Sequence, residues 1–135
     1  DLGLKKGRCI QLYTAPERRL HDYRYGYDMA CKAFDNGESA SAWIALNDRM
    51  AIGAARRIHE EGKSIPQDIA LAGYDNIDAA EFFTPPLTSV DQCVDEQMDS
   101  VLELLSQVKT KKSTLDPTTL KIIEPTLIIR KSTQS

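Results

Sequence analysis

Polar side chains able to make directional hydrogen bonds follow four short apolar segments of the chain. They are, in chain order, Tyr13 and Thr14, Asn47 and Asp48, Asp75 and Asn76, and Asp91 and Gln92. Carboxylates accept hydrogen bonds from hydroxyls, and Asn and Gln both donate and accept. The set therefore suits a neutral polyhydroxyl or amide-bearing ligand. Asp and Asn are also preferred helix caps and turn residues, so a purely structural interpretation of each position stays open.

The motifs of several enzyme classes are missing from the sequence. It contains no GxGxxG or GxxxxGK(S/T) phosphate-binding loop and no GxSxG nucleophile elbow. Its two histidines, His21 and His59, neither neighbour a cysteine nor form HExxH, which argues against a zinc site. A phospho-accepting receiver domain would need an acidic pair at another strand end and a lysine at a later one, whereas Lys63, Lys109, Lys111, Lys112 and Lys121 fall in predicted loops or at a strand start. We expect no catalysis, no metal and no cofactor.

Composition and charge indicate a soluble globular protein of one domain or slightly less. The chain has 135 residues, of which 41% are hydrophobic and 27% charged. The sequence contains no run of about 18 apolar residues, the length that a membrane-spanning helix would need. The given residues also carry no secretory signal. The net charge of -3 argues against direct contact with nucleic acid. Cys9, Cys31 and Cys93 are scattered without a CxxC pair, which is typical of reduced thiols in a cytoplasmic protein.

Short apolar runs alternate with longer amphipathic ones, which predicts strands that alternate with helices. Strands are predicted over residues 8–13, 42–46, 69–74, 87–90, 122–123 and 126–129, and helices over residues 20–34, 48–61, 79–83 and 94–108. The first helix would bury the face that carries Tyr23 and Tyr27. The continuous apolar run at 42–46 predicts a strand buried on both faces. This order is typical of an α/β fold with a parallel sheet and βαβ crossovers. Ligands bind at the carboxyl ends of such strands, where the polar side chains lie.

Three sequence blocks occur in a specific order: AWIALNDRMAIG at residues 42–53, IPQDIALAGYDN at 65–76 and FTPPLTSVD at 83–91. Together they closely resemble the C-terminal portion of the effector-binding domain of the lactose/galactose-repressor (LacI/GalR) family of bacterial transcription regulators. The resemblance implies the second lobe of a two-lobed, periplasmic-binding-protein-like domain. In that family a sugar or a nucleotide-derived metabolite binds between the lobes. It alters the grip of a dimer on operator DNA, which is bound by a separate headpiece.

The resemblance also assigns roles to individual residues. Asn47 and Asp75 fall on effector-contacting positions. An aromatic position near the effector falls on His21 if the sequences are matched without gaps, or on Tyr13 if a longer loop is allowed. Tyr13 is preferred, since it ends a strand at the ligand edge and its ring could stack on a sugar. The residues that match the dimer-pairing surfaces are Ile52, Arg56 and Phe83. The implied partners are a small-molecule effector such as a sugar, a second copy of the chain and, through the headpiece, operator DNA; no membrane is implied.

The resemblance divides the chain into three parts. Residues 1–91 would form the incomplete C-terminal lobe, residues 92–125 a crossover segment that belongs to the first lobe, and residues 126–135 the return strand and tail. The helix over residues 94–108 would then lack its partner. We therefore expect the chain to belong to a longer regulator, and the helix to pack against a neighbouring chain or to refold onto its own sheet. The alternatives are an exported sugar-binding protein of the same fold and a flavodoxin-like enzyme or receiver domain.

Overall fold

A computed structural model of the chain describes residues 12–13, 22–37, 39–111 and 120–134. The elements within these residues are, in chain order, α1 (Tyr23–Asp35), β1 (Ala42–Ile44), α2 (Asp48–Glu60), β2 (Ala70–Tyr74), α3 (Asp78–Phe82), β3 (Thr88–Asp91), α4 (Val94–Lys111), β4 (Thr126–Ile128) and a 3₁₀ turn at Lys131–Thr133. The strands form one sheet in the order β1-β2-β3-β4. β1, β2 and β3 run parallel, and β4 is antiparallel to β3. The predicted α/β class with a parallel sheet is confirmed, with one antiparallel edge strand added.

Capping residues determine where α1 and α2 begin. The Asp22 carboxylate accepts the backbone N–H of Tyr25 at 3.0 Å, and the Asn47 side chain accepts that of Met50 at 2.9 Å. Each bond satisfies one of the N–H groups that the first turn of a helix leaves without an internal partner. The structural interpretation of Asn47 as a helix cap is therefore confirmed.

α1 packs across α2 at a point where both helices carry glycine. A Cβ on Gly53 would lie 1.8 Å from the carbonyl oxygen of Tyr23, and one on Gly26 would lie 2.0 Å from that of Met50. This close approach decides which side of α1 is buried. The buried side carries Tyr25, Gly26, Met29, Ala30 and Ala33. Tyr23 is 44% exposed and Tyr27 is half-buried, so the predicted buried face of α1 is wrong at Tyr23 and only partly right at Tyr27. The glycine contact with α2, which apolar spacing along α1 does not indicate, turns the neighbouring side of the helix inward.

The main core lies between α2 and one face of the sheet. Its fully buried members are Ala51, Ala55, Ile58, Leu71, Ala80 and Leu87. A second, smaller cluster joins α1 to the start of α2 and consists of Tyr25, Met29 and Met50, with Tyr13 and Ala45 packed against it. The two clusters together hold the carboxyl end of β1 and the first turn of α2 against the rest of the lobe.

Two strand predictions differ from the structure. β1 is an edge strand of the described sheet, and the core covers only one of its faces, so Ile44 on the other face is 87% exposed. The expected burial of β1 on both faces is therefore wrong. The strand predicted at 122–123 is absent from the structure. Ile122 is 74% exposed, so its side chain does not pack on the sheet. The strand predicted at 8–13 lies almost wholly outside the described residues.

α4 leaves its apolar side uncovered. Val94, Met98, Val101, Leu102 and Leu105 are each 48–61% exposed. Of the two outcomes expected for this helix, refolding onto its own sheet is therefore wrong, because the side chains that would pack there face solvent. None of the helices in the part of the chain that the structure describes is long and apolar enough to cross a bilayer.

Candidate functional site

The carboxyl ends of three strands meet at one edge of the sheet. Ile44 of β1 pairs with Ala72 of β2, and Tyr74 of β2 pairs with Val90 of β3. The backbone N–H of Asp75 donates to the carbonyl oxygen of Val90 at 2.9 Å, so the chain after β2 stays beside β3. The polar residues at the ends of these three strands are thus brought to a common edge, as expected for parallel strands.

Asp48 is removed from any ligand at this edge. Its carboxylate is fully buried, and it accepts the Ser89 hydroxyl at 2.6 Å and the backbone N–H of Ile77 at 2.9 Å. Burial raises the pKa of the Asp48 carboxyl, while the bonds from Ser89 and Ile77 oppose that rise. A Cβ on Gly73 would lie 2.1 Å from Asp48 Oδ1, so the carboxylate occupies space that a side chain on β2 would need. Asp48 was expected to contribute a polar group to the ligand edge; instead it joins α2 to β3 and to the turn after β2.

Asp75 and Asn76 form a turn with unusual backbone geometry. Their φ angles are +98° and +49°, a region that residues with a Cβ adopt only when their surroundings hold them there, at a cost of about 1–3 kcal/mol each. The Asn76 N–H donates to Ser89 Oγ at 3.0 Å. Asn76 Oδ1 accepts from Arg130 Nη2 at 2.8 Å, and Asn76 Nδ2 donates to Asp91 Oδ2 at 2.9 Å. Both polar atoms of the Asn76 side chain thus take part in holding the turn.

Asp75, directly after β2, is half-buried. Its Oδ1 accepts a hydrogen bond from Gln92 Nε2 at 2.5 Å. Asp91 is engaged differently, since its two oxygens accept from the Cys93 N–H at 2.7 Å and from Asn76. These two bonds lower the pKa of Asp91 below its usual range, and the bond from the Cys93 N–H has the larger effect. Two bonds within the fold therefore occupy the Asp91 carboxylate, whereas the described residues give the Asp75 carboxylate one, from Gln92.

The remaining predicted contact residues fall at different places. Asn47 is half-buried, and its Oδ1 caps α2. Tyr13 is half-buried and packs against the cluster that contains Met50, in the first turn of α2, and Ala45, just beyond β1. Tyr13 therefore lies near the carboxyl end of β1. His21 lies outside the described residues.

The sequence model of the periplasmic binding protein-like domain family matches residues 9–133. The chain belongs to this family. It is 39% identical over 114 residues to the HTH-type transcriptional repressor PurR of Vibrio atlanticus. The matched region covers 81% of this chain and 34% of the relative. It thus spans about a third of the length of the curated relatives that it matches.

Solved structures of the LacI family have the same fold. A transcriptional regulator from Sanguibacter keddieii is 29% identical with a TM-score of 0.77, over 84% of this chain and 42% of that one. A LacI family transcriptional regulator from Enterococcus faecium was solved with bound ribose. It is 32% identical with a TM-score of 0.70, over 83% of this chain and 40% of that one. The resemblance to a LacI/GalR effector-binding domain is therefore confirmed.

The predicted dimer residues of this periplasmic-binding-protein-like lobe share one surface. Ile52, Arg56 and Phe83 line an open groove of about 500 Å³. The groove is completed by His59, Glu60 and Thr84. Arg56 Nε donates to Glu60 Oε1 at 3.0 Å, and the Tyr27 hydroxyl donates to Glu60 Oε2 at 2.6 Å. The hydrogen bond between Tyr27 and Glu60 raises the pKa of Tyr27. The same bond, together with the bond from Arg56, lowers the pKa of Glu60.

Sequence reasoning missed two side chains that determine the geometry of the Asp75–Asn76 turn. Arg130 reaches it from the segment after β4, and Gln92 reaches it from the segment after β3. Gln92 was noted as a strand-end residue without a partner. Arg130 lies 54 residues from Asn76 in the chain, so no local spacing could have indicated their contact.

Proposed function

We propose that this chain is the ligand-sensing lobe of a LacI-type transcriptional regulator. The observation that carries the proposal is the half-buried Asp75 at the carboxyl edge of a parallel sheet, on a strained turn held by neighbouring side chains. A strained backbone that is held in this way is typical of a ligand clamp. The relatives are regulators, and one was solved with a sugar. We infer an effector with vicinal hydroxyls, a sugar or a related metabolite, and no catalytic step.

The effector would bind to Asp75 and Asn47 on this lobe and to a facing lobe on its other side. Tyr13, or His21 in its place, would contribute a ring against the ligand. Binding regulates only if the ligand contacts one arrangement of the lobes better than the other, since equal affinity would shift no population. The arrangement of the lobes would set the grip of a separate headpiece on operator DNA, which would place the regulator in the cytoplasm.

The exposed side of α4 supports an assignment of the chain to two lobes. Residues 1–91 and 126–135 would belong to the C-terminal lobe, and residues 92–125 would cross to the first lobe and return. Each large apolar side chain that becomes buried contributes roughly 1.5–3 kcal/mol, so the apolar side of α4 favours a covering partner. We assign that partner to the first lobe of the same protein.

The groove lined by Ile52, Arg56 and Phe83 is the proposed dimer surface. Phe82 beside it is 82% exposed, which adds apolar area that a second copy would cover. In the full-length protein, Phe83→Asp should shift sedimentation from dimer to monomer at micromolar concentration. Gln67→Asp, an exposed position that does not line the groove, serves as the control. A dimer that persists unchanged in the Phe83 variant would exclude this surface.

The site is tested by ligand binding to the full-length regulator. A thermal-shift panel of monosaccharides, disaccharides and nucleobases identifies the effector, and calorimetry then measures its affinity. Asp75→Asn should weaken binding by about 10- to 150-fold, since a hydrogen bond to a charged group contributes about 1.5–3 kcal/mol. Glu81→Gln, an exposed carboxylate on α3, should leave it unchanged. Unaltered affinity in the Asp75 variant would refute the site. An effector that binds but leaves operator affinity unchanged would instead favour a transport-type sugar-binding protein.

A further inference from the structure

We propose that Gln92 is a positioning residue that holds the Asp75 carboxylate and couples it to the first turn of α4. The inference rests on the proposed function, because it concerns the residue that we assign to the effector. Gln92 Nε2 donates to Asp75 Oδ1 at 2.5 Å, and the Gln92 carbonyl oxygen accepts from Gln97 Nε2 at 2.5 Å. A continuous series of hydrogen bonds therefore runs from the turn after β2, through Gln92, into α4.

The passage from β3 to α4 is short and constrained on both sides of Gln92. Asp91 ends β3, and its carboxylate is occupied by Asn76 and by the N–H of Cys93. Cys93 has φ +55°, and its carbonyl oxygen accepts the backbone N–H of Gln97, which begins the ladder of α4. With residues 91 and 93 so constrained, a rotation of α4 relative to the sheet must displace Gln92 and with it the donor to Asp75.

An amide at this position has the right chemistry for that task. A carboxylate offers about four lone-pair sites, so one bond from Gln92 fixes the orientation of Asp75 and leaves sites for ligand hydroxyls. A lysine would neutralise the charge that attracts those hydroxyls, and a carboxylate would repel it. Glutamine orients the carboxylate and keeps its charge. An effector bound to Asp75 would therefore act on a group that α4 also holds, which provides a route from ligand contact to the crossover segment.

Hydrogen exchange in the ligand-free full-length protein tests the coupling directly. Gln92→Leu keeps the size of the side chain but removes the donor, and it should speed exchange at least threefold at two places. These are the amides of residues 97 and 98, the first of α4 with helical partners, and those of the Asp75–Asn76 turn. Gln92→Glu should have a larger effect than Gln92→Leu, because it places two carboxylates together. Gln107→Leu, further along α4, should leave both places unchanged.

A double-variant cycle separates coupling from a merely structural role. Asp75→Asn should also speed exchange in the first turn of α4, although it lies outside that helix. Combined with Gln92→Leu, it should add less than its effect alone, since both changes break the same link. Gln92→Asn, one methylene too short to hold the same bond, provides a milder variant if Gln92→Leu fails to fold. Additive effects, or a change confined to residues beside position 92, would overturn the coupling. Failure of the binding test with Asp75→Asn would instead overturn the proposed site.

Discussion

Replacing Asp48 by alanine should destabilise the lobe by about 2–4 kcal/mol. The fully buried carboxylate accepts hydrogen bonds from the Ser89 hydroxyl at 2.6 Å and from the Ile77 N–H at 2.9 Å. Each bond to a charged group contributes about 1.5–3 kcal/mol. Alanine loses both and leaves buried donors behind, but it also removes a charge whose burial is unfavourable. That offset brings the expected loss to less than the sum of the two bonds.

Asp48→Asn is the matched comparison because it keeps the shape and removes the charge. The amide oxygen can still accept from Ile77, but the amide nitrogen would face Ser89 Oγ, which already accepts the Asn76 N–H at 3.0 Å. Ser89 would have to accept twice and turn its proton elsewhere. We therefore expect a loss of about 1 kcal/mol, the typical net contribution of one hydrogen bond.

The pH dependence gives a second, independent check on Asp48. Burial raises the pKa of this carboxyl in the folded protein, so the fold disfavours its ionised form. Wild-type stability should therefore fall as the pH rises from the ordinary aspartate pKa through the raised one, and Asp48→Asn should lack that fall. Urea unfolding of the full-length protein, followed by circular dichroism at several pH values, measures both effects. A loss below about 0.5 kcal/mol for Asp48→Ala, within the range of ordinary surface changes, would refute the reasoning.

Three further predictions concern the groups around this turn. Gly73→Ala should cost about 1–3 kcal/mol, because its Cβ would lie 2.1 Å from Asp48 Oδ1, and its cost should shrink in the Asp48→Ala background in a double-mutant cycle. Ser132→Ala should lower stability by about 1–3 kcal/mol in urea unfolding, since its buried hydroxyl joins backbone groups of β2 and β3. Because the fold lowers the pKa of Asp91, its ionised form stabilises the protein above the ordinary aspartate pKa, and this stabilisation is lost as the pH falls through the lowered value. In acid unfolding, the stability of Asp91→Asn should therefore fall less steeply with pH than that of the wild type, and an unchanged slope would contradict this.

The order of elements could be predicted from the sequence because its signals are local. Asn47 begins α2 through a bond to an amide three residues away, and residues 69–74 form a short apolar run of the length of one strand. The position of Asp75 at the carboxyl end of a strand also followed locally, since it comes directly after that run. A general rule of parallel sheets then places it beside the other strand ends.

The features that the sequence did not predict depend on contacts between distant parts of the chain. Spacing along α1 indicated a buried Tyr23, whereas the close contact between Gly26 and α2 turns another side inward. Asp48 was interpreted as a polar strand-end residue, but its partner Ser89 lies 41 residues further along. A pattern that reports one segment at a time contains no information about which segment will face it.

The Asp75–Asn76 turn is where these distant contacts converge. Ser89 of β3 accepts a hydrogen bond from the backbone N–H of Asn76. Arg130, after β4, donates to the Asn76 side chain, and Gln92, before α4, donates to the Asp75 carboxylate. Gln92 begins residues 92–125, the part that we assign to the other lobe, and Arg130 follows β4, the strand to which that part returns. Under that assignment, the carboxylate proposed for the effector is held by the residue at which the chain crosses to the other lobe. Ligand binding and lobe closure would then act on one small set of hydrogen bonds, so neither could change without altering the other.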